Sequence, residues 1–228
     1  MTDRRNAVDF DAEYFARQAA EGNHHSAADA FRHAYRANLW GGDETPSGPG
    51  SALQQTAQLK RALPELCRRL SVGTLLDLPC GDGHWMSGIA LPGVRYLGAD
   101  LLPEVVARAA ARSPDREFLV LDLTASPLPR ADLLLCRDCM VHLSFADATR
   151  ALANVRRSRI TWLLATTFPD EPANRDIVTG DWRPLNLERA PFGFPPPREL
   201  LREGCTEQGG TFADKSLGLW SVNDLGRS

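Results

Sequence analysis

Residues 75–86, LLDLPCGDGHWM, run from an apolar stretch ending in Asp77 into a loop with two glycines. Such a loop lets a backbone pass close to a bound ligand. Gly81 and Gly83 satisfy G-x-G, but the next glycine is Gly88, so the G-x-G-x-x-G spacing that seats a pyrophosphate is not met. A dinucleotide is therefore disfavoured. Two more acids close later apolar runs. Asp100 ends VRYLGAD, where one carboxylate can accept hydrogen bonds from both hydroxyls of a ribose, and Asp122 lies near the end of the third run in VLDLT. Taken singly, each acid reads equally well as a helix cap or turn former. Three of them at successive strand ends suit a nucleoside-bearing ligand.

The pattern D-x-P-C-G-D-G resembles the first motif of class I S-adenosylmethionine (SAM) methyltransferases, in which an acid ends the strand and a glycine turn meets the methionyl part of the cofactor. Pro79 stands where that family usually has its first glycine. The resemblance implies that Asp77, Pro79, Cys80, Gly81, Asp82, Gly83 and Trp85 meet the methionyl end. It implies that Asp100, with Leu101, meets the ribose, and that Asp122 takes the adenine amino group while the Leu123 N–H faces a ring nitrogen. Further segments, YRANLWGGDETPSGPGS, CRDCMVHLS, GDWRPLNLERAPFGFPPP and DKSLGLW, are similar to those of a bacterial group within that family, over about residues 35–222. The group implies a fold and a cofactor and leaves the acceptor open, although its members are often associated with specialised-metabolite or cell-surface glycan pathways.

CRDCMVHLS, residues 136–144, follows the fourth apolar run, where a transferred methyl would face its acceptor. In-line displacement needs an aligned nucleophile and, for a hydroxyl, a base. His142 suits that role, since an imidazole with a pKa near 6.5 is partly neutral at working pH. Asp138 is its candidate companion, and Arg137 and Asp138 either meet ligand or neutralise each other. The spacing Cys136-x-x-Cys139-x-x-His142 admits a metal reading, but no second close pair accompanies it, and buried unpaired thiols are the commoner case. No metal is therefore expected. Arg36 could clamp the methionine carboxylate of SAM, with Trp40 beside it, or both could be ordinary surface and packing residues. In GDWRPLN, Asp181, Trp182, Arg183 and Asn186 offer a charge pair, an aromatic wall and an amide to a polar substrate, or make a loop pinned by Trp182.

The elements that would position these groups alternate. Apolar runs at 74–78, 94–100, 117–123, 131–137 and 159–167 read as strands, with amphipathic helices between most of them, so crossovers and parallel pairing follow. Pro103 suits a first helical turn, and Ser144-x-x-Asp147 a capping box. Residues 27–40 and 51–70 carry apolar residues at helical spacing, with Pro64 expected to start a second short helix. The fold class expected is α/β, a Rossmann-like, doubly wound, mostly parallel seven-stranded sheet with an N-terminal helical lid. It is read as one domain over 1–228: lid and loop to 50, SAM-binding core 51–167, then an acceptor-side insertion and final strands.

Composition narrows the partners. A net charge of −3 gives no positive field to collect phosphates, which counts against nucleic acid, and no run approaches the roughly 20 apolar residues that cross a bilayer. Five cysteines and no signal-peptide pattern suggest the cytoplasm and reduced thiols. The expectation is metal-independent methyl transfer from SAM to an oxygen, or a nitrogen, of a polar small molecule or glycan. The alternative is a partner module that binds SAM or S-adenosylhomocysteine (SAH) and has lost the chemistry.

Overall fold

The computed structural model describes residues 10–225, so the ends of the expected 1–228 unit lie outside the described residues. Seven strands form one sheet among these: β1 Thr74–Asp77, β2 Arg95–Asp100, β3 Glu117–Val120, β4 Ala131–Cys136, β5 Ile160–Thr167, β6 Glu199–Arg202 and β7 Ser216–Ser221. Their order is β3-β2-β1-β4-β5-β7-β6. The first five pair in parallel, while β7 runs antiparallel to both β5 and β6. Continuous apolar runs such as Leu133, Leu134 and Leu135 suit strands covered on both faces.

Five α-helices accompany the sheet among the described residues: α1 Tyr14–Ala20, α2 Ala27–Ala37, α3 Ala57–Arg69, α4 Pro103–Arg112 and α5 Phe145–Arg157. On one face Ala148, Ala151, Leu152 and Val155 of α5 join Leu76 and Leu134. On the other, Leu59, Leu63 and Leu66 of α3 join Leu75, Leu133 and Leu135. Each leucine so buried stabilises the fold by roughly 1.5–3 kcal/mol. Local signals agree with these ends. Pro103 opens α4, and the Ser144 hydroxyl accepts from the Asp147 N–H at the start of α5. No helix is long and apolar enough to cross a membrane among the described residues.

Two local expectations are corrected. Pro64 starts no new helix: α3 runs through it, because the leucine stripe buried against the sheet outweighs one missing N–H. Helices fill two of the four links between β1 and β5 and not most of them: β3 to β4 has none, and β1 to β2 holds only the short 3-10 turn Met86–Gly88, where buried Trp85, Met86 and Ile89 cover the sheet instead. The crossovers that do carry helices are α4 between β2 and β3 and α5 between β4 and β5. The carboxyl ends of β1, β2, β4 and β5 meet the amino end of the reversed β7 at one edge, where a doubly wound sheet leaves a crevice.

Candidate functional site

A cavity of about 580 Å³ opens at that edge, lined by the turn after β1, the ends of β2 and β4, and parts of α2. The turn after β1 is stitched to β2. The Cys80 N–H donates to the Ala99 carbonyl at 2.7 Å, and the Gly81 N–H donates to Asp100 Oδ2 at 3.1 Å. The Leu78–Pro79 bond is cis, and Gly81 has φ +56. A Cβ on Gly81 would lie 2.5 Å from Ser47 Oγ, so glycine is needed both for the turn and for the close approach of the 41–51 strap. Asp82 holds that strap: its Oδ1 accepts from Thr45 Oγ1 at 2.8 Å and Ser47 Oγ at 3.0 Å, and its Oδ2 pairs with Arg112 at 3.2 Å.

Asp77 and Asp100 both line the cavity and are otherwise buried. Tyr96 Oη donates to Asp77 Oδ2 at 2.6 Å. Burial pushes the Asp77 carboxyl up to about 7, against the Tyr96 hydrogen bond and the Arg137 charge. Asp100 is pushed up to about 6 by burial, with the N–H groups of Leu102 and Gly81 opposing. Asp122 lies in a turn beyond β3, its Oδ1 accepting from both the N–H and the hydroxyl of Thr124 at 2.7 Å. Pro79, Cys80, Trp85, Leu101 and Leu123 line the same cavity; Asp82 and Gly83 stand behind it, Gly83 facing Ala109. Arg36 does not line it. Its side chain is exposed and pairs with Glu104 at 3.3 Å, whereas Trp40 does reach the wall.

Beyond β4 lies a buried charge cluster. The Arg137 guanidinium forks onto Glu203, with Nε and Nη2 at 3.1 and 2.7 Å, and Nη2 also donates to the Gly50 carbonyl. Lys215 Nζ donates to Asp138 Oδ2 at 2.7 Å. Burial alone would raise the Asp138 carboxyl, but Lys215 and Arg137 hold it well below the usual carboxylate range. Asp138 is thus a fixed anion rather than a proton carrier. Arg137 is tied to Glu203 and lies 5.5 Å from the Trp85 ring centroid. The partners Glu203 and Lys215, and the strap residues Thr45 and Ser47, escaped sequence reasoning, because each meets its partner only through the tertiary fold.

His142 faces the cavity one turn further on. Its Nδ1 is 2.9 Å from the Asp181 carbonyl oxygen, which can only accept, so Nδ1 carries the proton and Nε2 of the neutral ring is left as an acceptor. Burial pushes the imidazole down to about 4, despite the Asp181 carbonyl and the Asp138 charge. Trp40 and Phe31 stand against it, at ring separations of 5.5 and 6.3 Å. Among the described residues, no cluster of three or more His, Cys, Asp or Glu could hold a metal. The Cys139 thiol is pushed well up, first by its hydrogen bond with Cys136 and then by burial.

The four residues expected to bind substrate separate. Trp182 lines the cavity. The Asp181 carboxylate is turned away and accepts from the N–H groups of Phe15 and Ala16 at 2.7 and 3.0 Å. Arg183 is fully buried and donates to the carbonyls of Met140 and Leu143 at 2.7 and 2.8 Å, clamping the segment that carries His142. Asn186 is buried and donates to the Pro169 and Glu171 carbonyls. Each satisfies backbone that would otherwise be buried unpaired, which is why polar residues stand in this loop.

Residues 75–159 match a family described as "Methyltransferase domain". No curated protein matches the chain. Among solved structures, the PH0226 protein from Pyrococcus horikoshii OT3 is 19% identical with a TM-score of 0.42, over 48% of this chain and 56% of that one. Magnesium protoporphyrin IX methyltransferase from Synechocystis PCC 6803, with bound SAM, is 19% identical with a TM-score of 0.44, over 54% and 62%. An S-adenosylmethionine-dependent methyltransferase from Clostridium acetobutylicum ATCC 824 is 16% identical with a TM-score of 0.43, over 53% and 56%. The chain spans less than two thirds of the length of each of these three. The matched segment, residues 75–159, spans β1 to the end of α5 and so includes the turn after β1 and the His142 segment.

Proposed function

We propose that the protein is a methyltransferase that moves a methyl group from S-adenosylmethionine to a hydroxyl oxygen of a small molecule, with His142 as the base. Bound SAM supplies a methyl group on a sulfonium sulfur. Three carboxylates at adjoining strand ends, a glycine turn open to close approach and a cavity of about 580 Å³ fit a nucleoside joined to an amino acid. On this reading Asp100, beside Leu101, accepts from the ribose hydroxyls, Asp122 and the Leu123 N–H meet the adenine, and Asp77, Pro79, Cys80, Gly81 and Trp85 surround the methionyl end. Asp82 and Gly83 shape the turn from behind.

One observation carries the choice of oxygen over nitrogen: the proton fixed on Nδ1 by the Asp181 carbonyl leaves His142 Nε2 as an acceptor in the cavity wall. An amine acceptor needs less help of this kind. Asp138, held anionic by Lys215, adds a negative charge near the imidazolium that forms as His142 takes the proton. A glycan acceptor draws no support from Asp181, Arg183 and Asn186, whose side chains are spent on backbone partners. Titration calorimetry with SAH, followed by an assay of SAH release over hydroxyl and amine acceptors, tests the reading. SAH binding with transfer to hydroxyls is expected; no binding, or transfer to amines that survives His142→Gln in full, overturns it.

A further inference from the structure

We propose that the acceptor is a neutral, flat aromatic compound carrying the hydroxyl, a phenol, held against Trp182 and Phe212 with its oxygen at His142. This inference rests on the methyltransferase reading above and names its substrate class. The wall beyond His142 is built of rings. Trp182 and Phe212 lie 4.8 Å apart between centroids, Phe168 stands 6.1 Å and 5.9 Å from them, and Trp40 lies 5.5 Å from His142 on the other side. All of these line the same cavity. Aromatic rings favour edge-to-face and offset contacts with a further ring, so an aromatic guest completes the set.

Charge excludes the competing classes. The cavity wall holds two lysine or arginine side chains among the described residues, and both are spent. Lys215 sits 2.7 Å from Asp138, with Glu203 and Glu207 at 3.8 and 3.9 Å, and Arg137 is forked onto Glu203. A phosphorylated or carboxylated acceptor would meet carboxylates without a free cation to balance it. A sugar needs several polar side chains aimed at its hydroxyls. In the wall Gln55 has both amide ends engaged with Thr206, and the 181–186 loop directs Asp181, Arg183 and Asn186 inward, so Gln208 offers one amide where a sugar ring needs several polar groups.

The strength of the base agrees with this geometry. An imidazole held down to about 4 is a weak base. A phenol, with a pKa of about 10, gives it a proton some six orders of magnitude more readily than a hydroxyl as weakly acidic as water, at about 15.7. In the step, the phenol proton passes to His142 Nε2, the new oxygen–carbon bond forms as the carbon–sulfur bond breaks, and the electron pair leaves on sulfur, giving an aryl methyl ether and SAH. The proton then passes from His142 to water.

The test uses the full-length protein saturated with SAH, with 2-naphthol and methyl α-D-glucopyranoside as probes. Binding is read by quenching of tryptophan fluorescence, and SAH release is measured separately with SAM present. 2-Naphthol is expected to bind at least about tenfold more tightly than the glucoside and to be methylated in preference to it. Trp182→Ala weakens naphthol binding about tenfold, while Trp182→Phe keeps most of it. SAH affinity, measured alongside, stays unchanged in both variants and shows that they are folded. The inference is overturned if SAH binds normally but the glucoside is the preferred acceptor, or if Trp182→Ala binds naphthol as well as the parent does. Loss of SAH binding in the parent itself removes the underlying methyltransferase reading, and this inference with it.

Discussion

His142 donates its Nδ1 proton to the main-chain carbonyl of Asp181 across 2.9 Å, although the two residues are 39 apart in sequence. The imidazole is thereby set in one tautomer by a backbone atom, which substitution of the Asp181 side chain cannot remove, and on the proposed function this ring is the base. His142→Ala is expected to slow transfer to a hydroxyl acceptor by about 10²–10⁴-fold while leaving SAH affinity intact. The neutral ring is the active form, and burial keeps it neutral down to about pH 4, so the acid limb of kcat/KM should fall near pH 4. A rate profile that halves near 6.5 would contradict that environment.

Asp100 carries two tasks, closing the turn through the Gly81 and Leu102 N–H groups and presenting the rest of its carboxylate to the cavity. Asp100→Ala should abolish the thermal shift produced by SAH, and Asp100→Asn should weaken SAH binding by about 10–100-fold in calorimetry. An unchanged shift in the alanine variant would place the ribose elsewhere.

The raised Asp77 carboxyl makes stability depend on pH in a definite direction. In the unfolded chain it loses its proton near 3.9, in the folded protein only near 7, so the folded state holds the extra proton between these values and loses stability as pH rises through that window. His142 acts oppositely: between about 4 and 6.5 the unfolded chain binds the extra proton, and stability rises with pH. A difference measurement separates the two. Asp77→Asn, whose amide oxygen can still accept from Tyr96, should gain in Tm relative to the parent between pH 5 and pH 8. A pH-independent difference would refute the assignment.

Arg183 supports the His142 segment from behind. Its guanidinium serves three carbonyls, those of Arg175, Met140 and Leu143, and burial pushes it down to about 10. Lysine cannot reproduce that fork, so Arg183→Lys should cost about 2–4 kcal/mol in urea unfolding. Turnover should fall with it, because the adjoining Arg183 N–H to Val141 and Gly180 N–H to His142 bonds hold the same loop.

Much of this was legible in the residues themselves. Continuous apolar runs announced β1 to β5, and Ser144 and Pro103 announced helix starts, because those signals are local. Asp77, Asp100 and Asp122 could be read as a group because parallel strands bring their carboxyl ends to one edge. In the GDWRPLN loop the side chains of Asp181, Arg183 and Asn186 serve backbone N–H and carbonyl groups of other segments, and nothing in their spacing distinguishes that from a substrate site. The Arg137–Glu203 fork, 66 residues apart in sequence, left no pattern either. Arg36 looked like a carboxylate clamp, but α2 turns it outward to Glu104. The link after β1 does without a long helix because Trp85, Met86 and Ile89 supply the apolar cover that a helix gives elsewhere.

The reversal of β7 has a consequence for how such a site can diversify. Six strands arrive at the crevice with their carboxyl ends, but β7 arrives with its beginning, so Phe212 and Lys215 enter from a segment that contributes nothing to the turn after β1. On the proposed function, donor and acceptor recognition are thereby written on separate stretches of chain. On that reading residues 204–214 form a cassette whose exchange retunes which molecule is modified, while the glycine turn after β1 is left untouched.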